Sequence, residues 1–464
     1  MLLYLIYTSV LYYQEKPSES DLTAVLPRIA KDDRVLIFAP HCDDETISSS
    51  GVLTDAVRAG SQVLVVFMTN GDGFTFAAEE QFKRLFLTSE DYIRSGYSRQ
   101  AEALTALESL GLSPQQVIFL GYPDRGLETL WARQWRTEDP FVSHYTRSSH
   151  SPYAYSYEPN APYAGENVLK NVEEILVRFR PTTVLLPHPH DEHHDHAATY
   201  AFVTAALCKL DLGRVLPRPH LYYYLVHRGD FPIPHGYLPD NSLLPPRPLQ
   251  SLNKVKWHAY PLDKETETEK YRATLKYTSQ IKVPIMSKLL LSLVRTNELF
   301  AEIPAVRVGT APDGADLREA RAWGGDELML YLNPRAVHPV GVVENSRRVR
   351  TIYGCVQDTD IWLRLDIPLL SDSRWTYTLT YTGFTAADGR WVREARTFAF
   401  NPQEPEAGRD GVIFSQDSAI IKIAQQKPPD FFYIRIVAKD WWGFSPDETA
   451  WYLGLIPRQD SSRD

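Results

Sequence analysis

The chain has 464 residues, with 49 Lys and Arg against 58 Asp and Glu, which gives a formal net charge of −9. This acidic balance excludes a basic nucleic-acid groove as the default interpretation, and we expect no nucleic-acid partner. The composition, 44% hydrophobic and 23% charged, is that of a globular protein and excludes a disordered or fibrous chain. A chain of this length is expected to form more than one core.

Residues 1–13, MLLYLIYTSVLYY, form an apolar segment that is too short to span a bilayer as it stands. Two interpretations are open. The segment is the remnant of an export signal or membrane anchor, which favours an extracytoplasmic or membrane-associated protein, or it is an element docked on a cytoplasmic protein. We assign residues 1–30 to an apolar lead and linker.

From residue 34 to residue 209, short β-branched runs alternate with longer stretches of helical period. This alternation predicts a Rossmann-like α/β fold, in which helices cover a mostly parallel sheet. The runs are apolar almost throughout, which suits strands buried on both faces. The predicted strands are Arg34–Ala39, Gln62–Thr69, Gln116–Gly121, Thr183–Pro187 and His220–His227, and the predicted helices are Glu45–Ala59, Tyr92–Leu110, Glu166–Phe179, Lys264–Gln280 and Ser287–Phe300.

After Pro304 the pattern changes to short alternating runs, such as IWLRLDI and WTYTLTYTGF, separated by turn residues. Such runs are typical of an all-β domain, and we expect a β-sandwich. The sequence therefore predicts an α/β domain at residues 31–304 and a β-sandwich accessory domain at residues 305–464.

Two clusters of metal-ligating residue types follow predicted strands. Five of the 13 histidines lie in HPHDEHHDH, residues 188–196, and HCDDE occupies residues 41–45. Groups beyond the carboxyl ends of parallel strands line one crevice, so the clusters are expected to meet in space. His and Asp supply the nitrogen and oxygen donors of catalytic zinc sites, which typically use three protein ligands. The two clusters together therefore predict a metal site.

The spacing within each cluster separates possible roles. His41 and Asp44 are three residues apart, which places both side chains on one side of an opening helical turn. Asp43 then points elsewhere and is available to act on a water molecule. His193 and His196 share this spacing, so that one can bind metal while the other faces substrate. Taken alone, Asp43 or Asp44 would more simply cap the helix that follows.

These motifs resemble those of the LmbE-like, or PIG-L-like, zinc-dependent N-acetylglucosaminyl deacetylases. Ala39–Glu45 is similar to the signature (A/P)HPDDE, with Cys42 in place of the usual Pro. His188–His196 is similar to HPxDxHxDH, and Arg99–Gly111 matches the weaker pattern RxxExxxAxxxLG. GYPD at residues 121–124 also resembles a family loop, and the resemblance extends over about residues 30–300.

The resemblance implies roles for individual residues. It implies one Zn²⁺ per chain, with Asp43 as the general base, and it implies that His193 stabilises the oxyanion while Asp195 orients that imidazole. Arg99 and Asp124 resemble substrate-contacting positions. The implied zinc ligands are His41, Asp44 and His196.

The expected activity is hydrolysis of the N-acetyl group of an N-acetylglucosamine-type sugar conjugate, which releases acetate and a free amine. Two alternatives stay open. The same metal centre could serve an amidase or esterase with a non-sugar acyl substrate. A carbohydrate-binding protein with a structural metal is the other alternative, but a structural site is normally closed by four protein ligands and needs no base such as Asp43.

Overall fold

The computed structural model describes residues 22, 24–229, 231–250, 255–323, 329–332, 348–368, 370, 374–402, 411–415, 417–440, 442 and 447–457. These residues form two compact units, and the chain passes from the first to the second between Ile303 and Pro304. The apolar segment at residues 1–13 lies outside the described residues. No helix among the described residues is long and apolar enough to cross a membrane.

The first unit is built on one sheet of eight strands in the order β1-β7-β8-β6-β5-β2-β3-β4. Strands β2 to β6 pair in parallel, β8 runs antiparallel to its neighbours β6 and β7, and β1 is parallel to β7. The sheet is therefore mixed, with a parallel centre as predicted. The strands are β1 (Ala24–Val25), β2 (Arg34–Ala39), β3 (Gln62–Thr69), β4 (Val117–Tyr122), β5 (Thr183–Pro187), β6 (His220–Tyr224), β7 (Lys256–Pro261) and β8 (Asn297–Glu302).

Helices accompany this sheet, and capping residues mark the ends of some of them. Gly60 ends the first helix in a left-handed conformation at φ 72°, which costs glycine no steric strain. Thr88 and Asp91 form a capping box at the start of the third. The helices are α1 (Asp44–Ala59), α2 (Thr75–Phe82), α3 (Ser89–Ser109), α4 (Leu127–Ala132), α5 (Gly165–Phe179), α6 (His194–Leu212), α7 (Arg247–Gln250), α8 (Lys264–Thr274), α9 (Thr278–Ile281) and α10 (Pro284–Ser292).

Two predicted helices are wrong in part. The stretch predicted as one helix from Lys264 to Gln280 is divided between α8 and α9. The predicted helix Ser287–Phe300 combines the end of α10 with the beginning of strand β8. A short apolar run such as Asn297–Glu302 is compatible with a helix or a strand. Here it forms strand β8 because it pairs with β6 and β7.

The second unit is all-β, as predicted, and contains two six-stranded sheets. Its apolar core cluster includes Ile352 and Leu363 from one sheet and Leu379 and Ile434 from the other. The sandwich arrangement itself stays a prediction. One sheet contains β10 (Gly309–Thr310), β11 (Met329–Leu332), β12 (Thr351–Gln357), β13 (Asp360–Asp366), β16 (Val412–Phe414) and β17 (Ser418–Ile423), and the other contains β9 (Val306–Arg307), β14 (Thr376–Ala387), β15 (Arg390–Phe400), β18 (Phe431–Lys439), β19 (Asp447–Glu448) and β20 (Tyr452–Leu455).

Candidate metal centre and active site

The two sequence clusters meet at the carboxyl ends of neighbouring strands. HCDDE follows β2 and the histidine cluster follows β5, and these strands pair in parallel. Donor atoms of His41, Asp44, His196 and His227 all lie within 4.8 Å of one another. The structure therefore brings the three predicted ligands together and adds His227, which follows β6 and has no predicted role.

The donor atoms of the three predicted ligands form a tight group. Asp44 Oδ2 lies 3.3 Å from His41 Nδ1 and 3.1 Å from His196 Nε2. Asp44 Oδ1 and His196 Nε2 are buried without a hydrogen-bond partner among the described residues. Buried polar atoms without partners are costly, and a divalent cation between them would satisfy both. The residues present therefore fit a metal that prefers nitrogen and oxygen donors.

Both ligand histidines have a carboxylate at the nitrogen that faces away from this group. His41 Nε2 lies 3.3 Å from Asp124 Oδ1 and 3.4 Å from Asp195 Oδ2. His196 Nδ1 lies 3.2 Å from Asp191 Oδ2. Burial lowers the pKa of His196, but Asp191 and Asp44 outweigh it and raise the pKa to about 9. Carboxylates in this position fix the tautomer and orientation of metal-ligating histidines.

Asp191 connects the histidine cluster to the segment after β6, a role that the sequence analysis missed. Its Oδ1 accepts a hydrogen bond from the main-chain N–H of His193 at 3.0 Å. Its Oδ2 accepts from the main-chain N–H groups of Val226 at 3.1 Å and His227 at 3.0 Å. The Asp191 carboxylate therefore contacts three histidines. It binds the main chain of His193 and His227, and its Oδ2 also faces the side chain of His196.

Asp43 is held by a buried arginine. Arg99 Nη2 donates to Asp43 Oδ2 at 2.9 Å and to the Cys42 carbonyl at 2.7 Å, while Nη1 donates to the Gly71 carbonyl at 2.9 Å. The φ angle of Asp43 is 152°, a strained value for a residue with a side chain, and Glu45 Oε2 accepts its main-chain N–H at 3.2 Å. Burial raises the pKa of Asp43 to about 6, and Arg99 opposes this rise.

Arg99 and Asp124 are more buried than their predicted contact with substrate suggests. Arg99 is 4% exposed, and its guanidinium is bonded to the loop that carries Asp43. Asp124 is 5% exposed, its Oδ2 accepts from the Gly73 N–H at 2.7 Å, and its Oδ1 faces His41. The geometry therefore favours a supporting role for both residues, and direct substrate contact stays a prediction.

His193 lies beside the predicted ligands, with its ring centroid 4.6 Å from that of His41 and 5.4 Å from that of His196. Its Nδ1 accepts the main-chain N–H of Asp195 at 3.2 Å, so the proton of the neutral ring lies on Nε2. Burial lowers the pKa of His193, and the neighbouring histidines lower it further. The ring is therefore suited to donate a hydrogen bond from Nε2.

Asp195 contacts the His193 imidazole, which it is expected to orient, through its main-chain N–H, while its carboxylate binds elsewhere. Its two oxygens accept the main-chain N–H groups of Arg125 at 2.6 Å and Leu127 at 3.1 Å, and Oδ2 faces His41. Arg125 lies just before α4 and Leu127 is its first residue, so the carboxylate satisfies one of the donors that the helix leaves free. Asp195 therefore orients His193 through its main chain and His41 through its carboxylate.

The fold and the site together define an α/β domain with a buried His/Asp donor group at the carboxyl ends of parallel strands. The sequence model of the PIG-L family, described as GlcNAc-PI de-N-acetylase, matches residues 36–207. The chain therefore contains a PIG-L family domain, and the resemblance stated from the motifs is confirmed.

Deacetylases of 1D-myo-inositol 2-acetamido-2-deoxy-alpha-D-glucopyranoside from two Mycobacterium sp. strains, KMS and JLS, are each 31% identical to this chain over 176 residues. The alignments cover 38% of this chain and 50% of those proteins, so the chain spans about half the length of these curated relatives.

Two solved structures illustrate the structural similarity. N,N'-diacetylchitobiose deacetylase from Pyrococcus horikoshii is 19% identical, with a TM-score of 0.35 over 58% of this chain and 84% of that one. The 4-carboxy-2-hydroxymuconate hydratase of Pseudomonas putida KT2440 is 16% identical, with a TM-score of 0.34 over 60% and 99% of the two chains.

Proposed function

We propose that this protein is a metal-dependent hydrolase that removes the N-acetyl group from an N-acetylglucosamine-type sugar conjugate. One observation carries the proposal. Asp43, held by Arg99, directly precedes Asp44, whose carboxylate forms a buried donor group with His41 and His196. This arrangement lies inside the PIG-L family domain, and the mycobacterial relatives are named as deacetylases of an acetamido sugar.

His41, Asp44 and His196 would hold the metal, which we propose to be Zn²⁺. A metal in such a site polarises a carbonyl and lowers the pKa of bound water toward about 7. The carboxylate at the outer nitrogen of each histidine would keep the imidazole directed at a bound metal. The chain thus supplies a buried and oriented donor set.

Asp43 is the residue that takes the proton of the attacking water. Arg99 binds Asp43 Oδ2, so Oδ1 is the oxygen that accepts this proton. A pKa raised by burial to about 6 makes the carboxylate a better base than an exposed aspartate and leaves it ionised at neutral pH. The strained φ of 152° and the hydrogen bond to Glu45 fix the direction of the side chain.

His193 stabilises negative charge on the acetamide oxygen by donating a hydrogen bond from Nε2. Protonated Asp43 then returns the proton to the departing nitrogen. The carbonyl–nitrogen bond breaks, one water is consumed, and acetate and a free amine leave. Asp124 and Asp195 contribute by holding His41 rather than by touching the reacting atoms.

A substrate panel tests the proposal. The purified, zinc-loaded chain is incubated with N-acetylated sugars, N-acetylglucosamine conjugates, non-sugar N-acetyl amides and acetyl esters, and released acetate is measured. We expect acetate only from the N-acetylglucosamine-type compounds. Acetate from the non-sugar amides or esters instead would favour the amidase or esterase alternative. Sugar binding with no acetate from any compound would favour a carbohydrate-binding protein with a structural metal.

A further inference from the structure

One histidine of the donor group, His227, lies outside both sequence motifs and outside the segment that matches the family model. We infer that His227 is a fourth, displaceable donor to the metal. The inference rests on the metal site of the proposed function and names one more residue of that site.

The imidazole of His227 faces Asp44 Oδ1, whereas His41 and His196 approach the other oxygen, Oδ2. His227 Nε2 lies 3.6 Å from Asp44 Oδ1, the carboxylate oxygen that has no hydrogen-bond partner among the described residues. Donors in a tetrahedral zinc site lie roughly 3.3 Å apart when each is about 2.0 Å from the metal. Asp44 Oδ2 lies 3.3 Å from His41 Nδ1 and 3.1 Å from His196 Nε2, close to this spacing, while His227 Nε2 is 3.6 Å from the other oxygen, Oδ1. Donor atoms of all four residues lie within 4.8 Å of one another, so one metal ion can be reached from all of them.

The main chain at His227 is tied to the rest of the site. Its N–H donates to Asp191 Oδ2, and its carbonyl accepts the N–H of Glu192 at 2.7 Å. The Asp191 carboxylate that positions His196 therefore also positions His227. Because these bonds involve only the main chain, the imidazole of His227 can move while its attachment point stays fixed.

Exposure separates His227 from the other three donors. Its side chain is 31% exposed, whereas those of His41, Asp44 and His196 are between 0 and 7% exposed. Four permanent protein ligands make a closed, structural zinc site, while a catalytic site keeps one position for water or substrate. His227 is the donor on the solvent side, so it is the one that can withdraw and open that position.

The experiment measures metal binding by the full chain in the absence of substrate. Zinc affinity is obtained by competition with a chelator, and the absorption spectrum of the cobalt-substituted protein reports the donor set. His227→Ala removes the proposed donor, and His227→Gln is a second variant that keeps a polar side chain. His194→Ala is the matched control, because His194 belongs to the same histidine cluster but is 55% exposed and contacts Glu128 at 2.6 Å.

We expect the zinc affinity of both His227 variants to fall tenfold or more, since the loss of even an outer-shell partner costs about 10- to 100-fold. The cobalt spectrum should change in both variants, and His194→Ala should match the wild type in both measurements. Wild-type affinity and an unchanged cobalt spectrum in the folded His227 variants would overturn the assignment. An equal loss of affinity in His194→Ala would also overturn it.

These measurements separate the donor assignment from the proposed activity. A chain that binds zinc through His227 but releases no acetate would support the assignment and contradict the proposed function. A chain that releases acetate while His227→Ala retains full zinc affinity would support the function and contradict the assignment.

Discussion

Gly71 offers a way to displace Arg99 without altering either Arg99 or Asp43. Gly71 has a φ of +64°, and a Cβ built at this position would lie 1.8 Å from Arg99 Nη1 and 2.4 Å from its Cζ. Ordinary contact begins at 3.4 Å, so the guanidinium must retreat by 1.6 Å, the difference between 3.4 and 1.8 Å. Nη1 and Nη2 belong to one rigid guanidinium group, so we expect the 2.9 Å bond from Arg99 Nη2 to Asp43 Oδ2 to be lost as well. Gly71→Ala should therefore release Asp43 from its buried cation.

We expect Gly71→Ala to lower the turnover number, kcat, more than it changes KM. Misplacing a reacting group by about 1 Å can lower the rate roughly 100-fold, and a general base contributes about 10² to 10⁴ in all. We therefore expect kcat to fall about 100-fold. The KM should change little, because Arg99 is 4% exposed and reaches the reaction through Asp43. The assay is acetate release over a range of substrate concentrations, with bound zinc measured in parallel.

Gly60→Ala is the matched control for backbone strain. Gly60 has a similar φ of +72°, but a Cβ there would meet no atom within 4 Å. Both variants carry the left-handed penalty of about 1–2 kcal/mol, so thermal unfolding should show both losing stability. Only Gly71→Ala should lose turnover. Wild-type kcat in Gly71→Ala, or an equal loss in Gly60→Ala, would refute the view that Arg99 holds the base.

Three further variants test other parts of the account. Asp43→Asn should keep bound zinc and lose about 10²- to 10⁴-fold in kcat, and retained turnover would exclude Asp43 as the base. His196→Ala should lose most bound metal by elemental analysis with an unchanged circular dichroism spectrum, whereas full metal content would place the ligands elsewhere. Lys270 Nζ lies 3.0 Å from Glu298 Oε1, and both side chains are fully buried. Lys270→Met should therefore lower the free energy of unfolding by about 3–5 kcal/mol in denaturant, because it leaves Glu298 buried without its cation, while Lys264→Met, at a side chain that is 69% exposed, should lower it by about 0–1 kcal/mol.

The meeting of the two motifs could be predicted because each directly follows a buried strand. β2 and β5 prove to be parallel neighbours, so residues 41–45 and 188–196 share one edge of the sheet. The same rule applies to His227, since β6 pairs in parallel with β5. His227, however, is a single histidine outside both sequence motifs, so the sequence does not distinguish it from an ordinary histidine. Only the folded chain shows that it faces Asp44.

The features that the sequence analysis missed depend on contacts between distant residues. Helical periodicity places Arg99 on a helix, but only packing shows that its guanidinium reaches back to Cys42 and Asp43. Asp195 is adjacent to the histidines in sequence, yet the start of α4 binds its carboxylate. Asn297–Glu302 forms a strand because it pairs with β6 and β7. In each case the deciding partner lies more than 30 residues away.

The most direct measurement compares acetate and amine released from one N-acetylglucosamine conjugate by the zinc-loaded wild type and by Asp43→Asn. Hydrolysis of the acetamide predicts equimolar acetate and free amine from the wild type, and a loss of both in a variant that still binds zinc. Acetate formed without an equal amount of amine, or equal release of both products by Asp43→Asn, would contradict the proposed N-deacetylase.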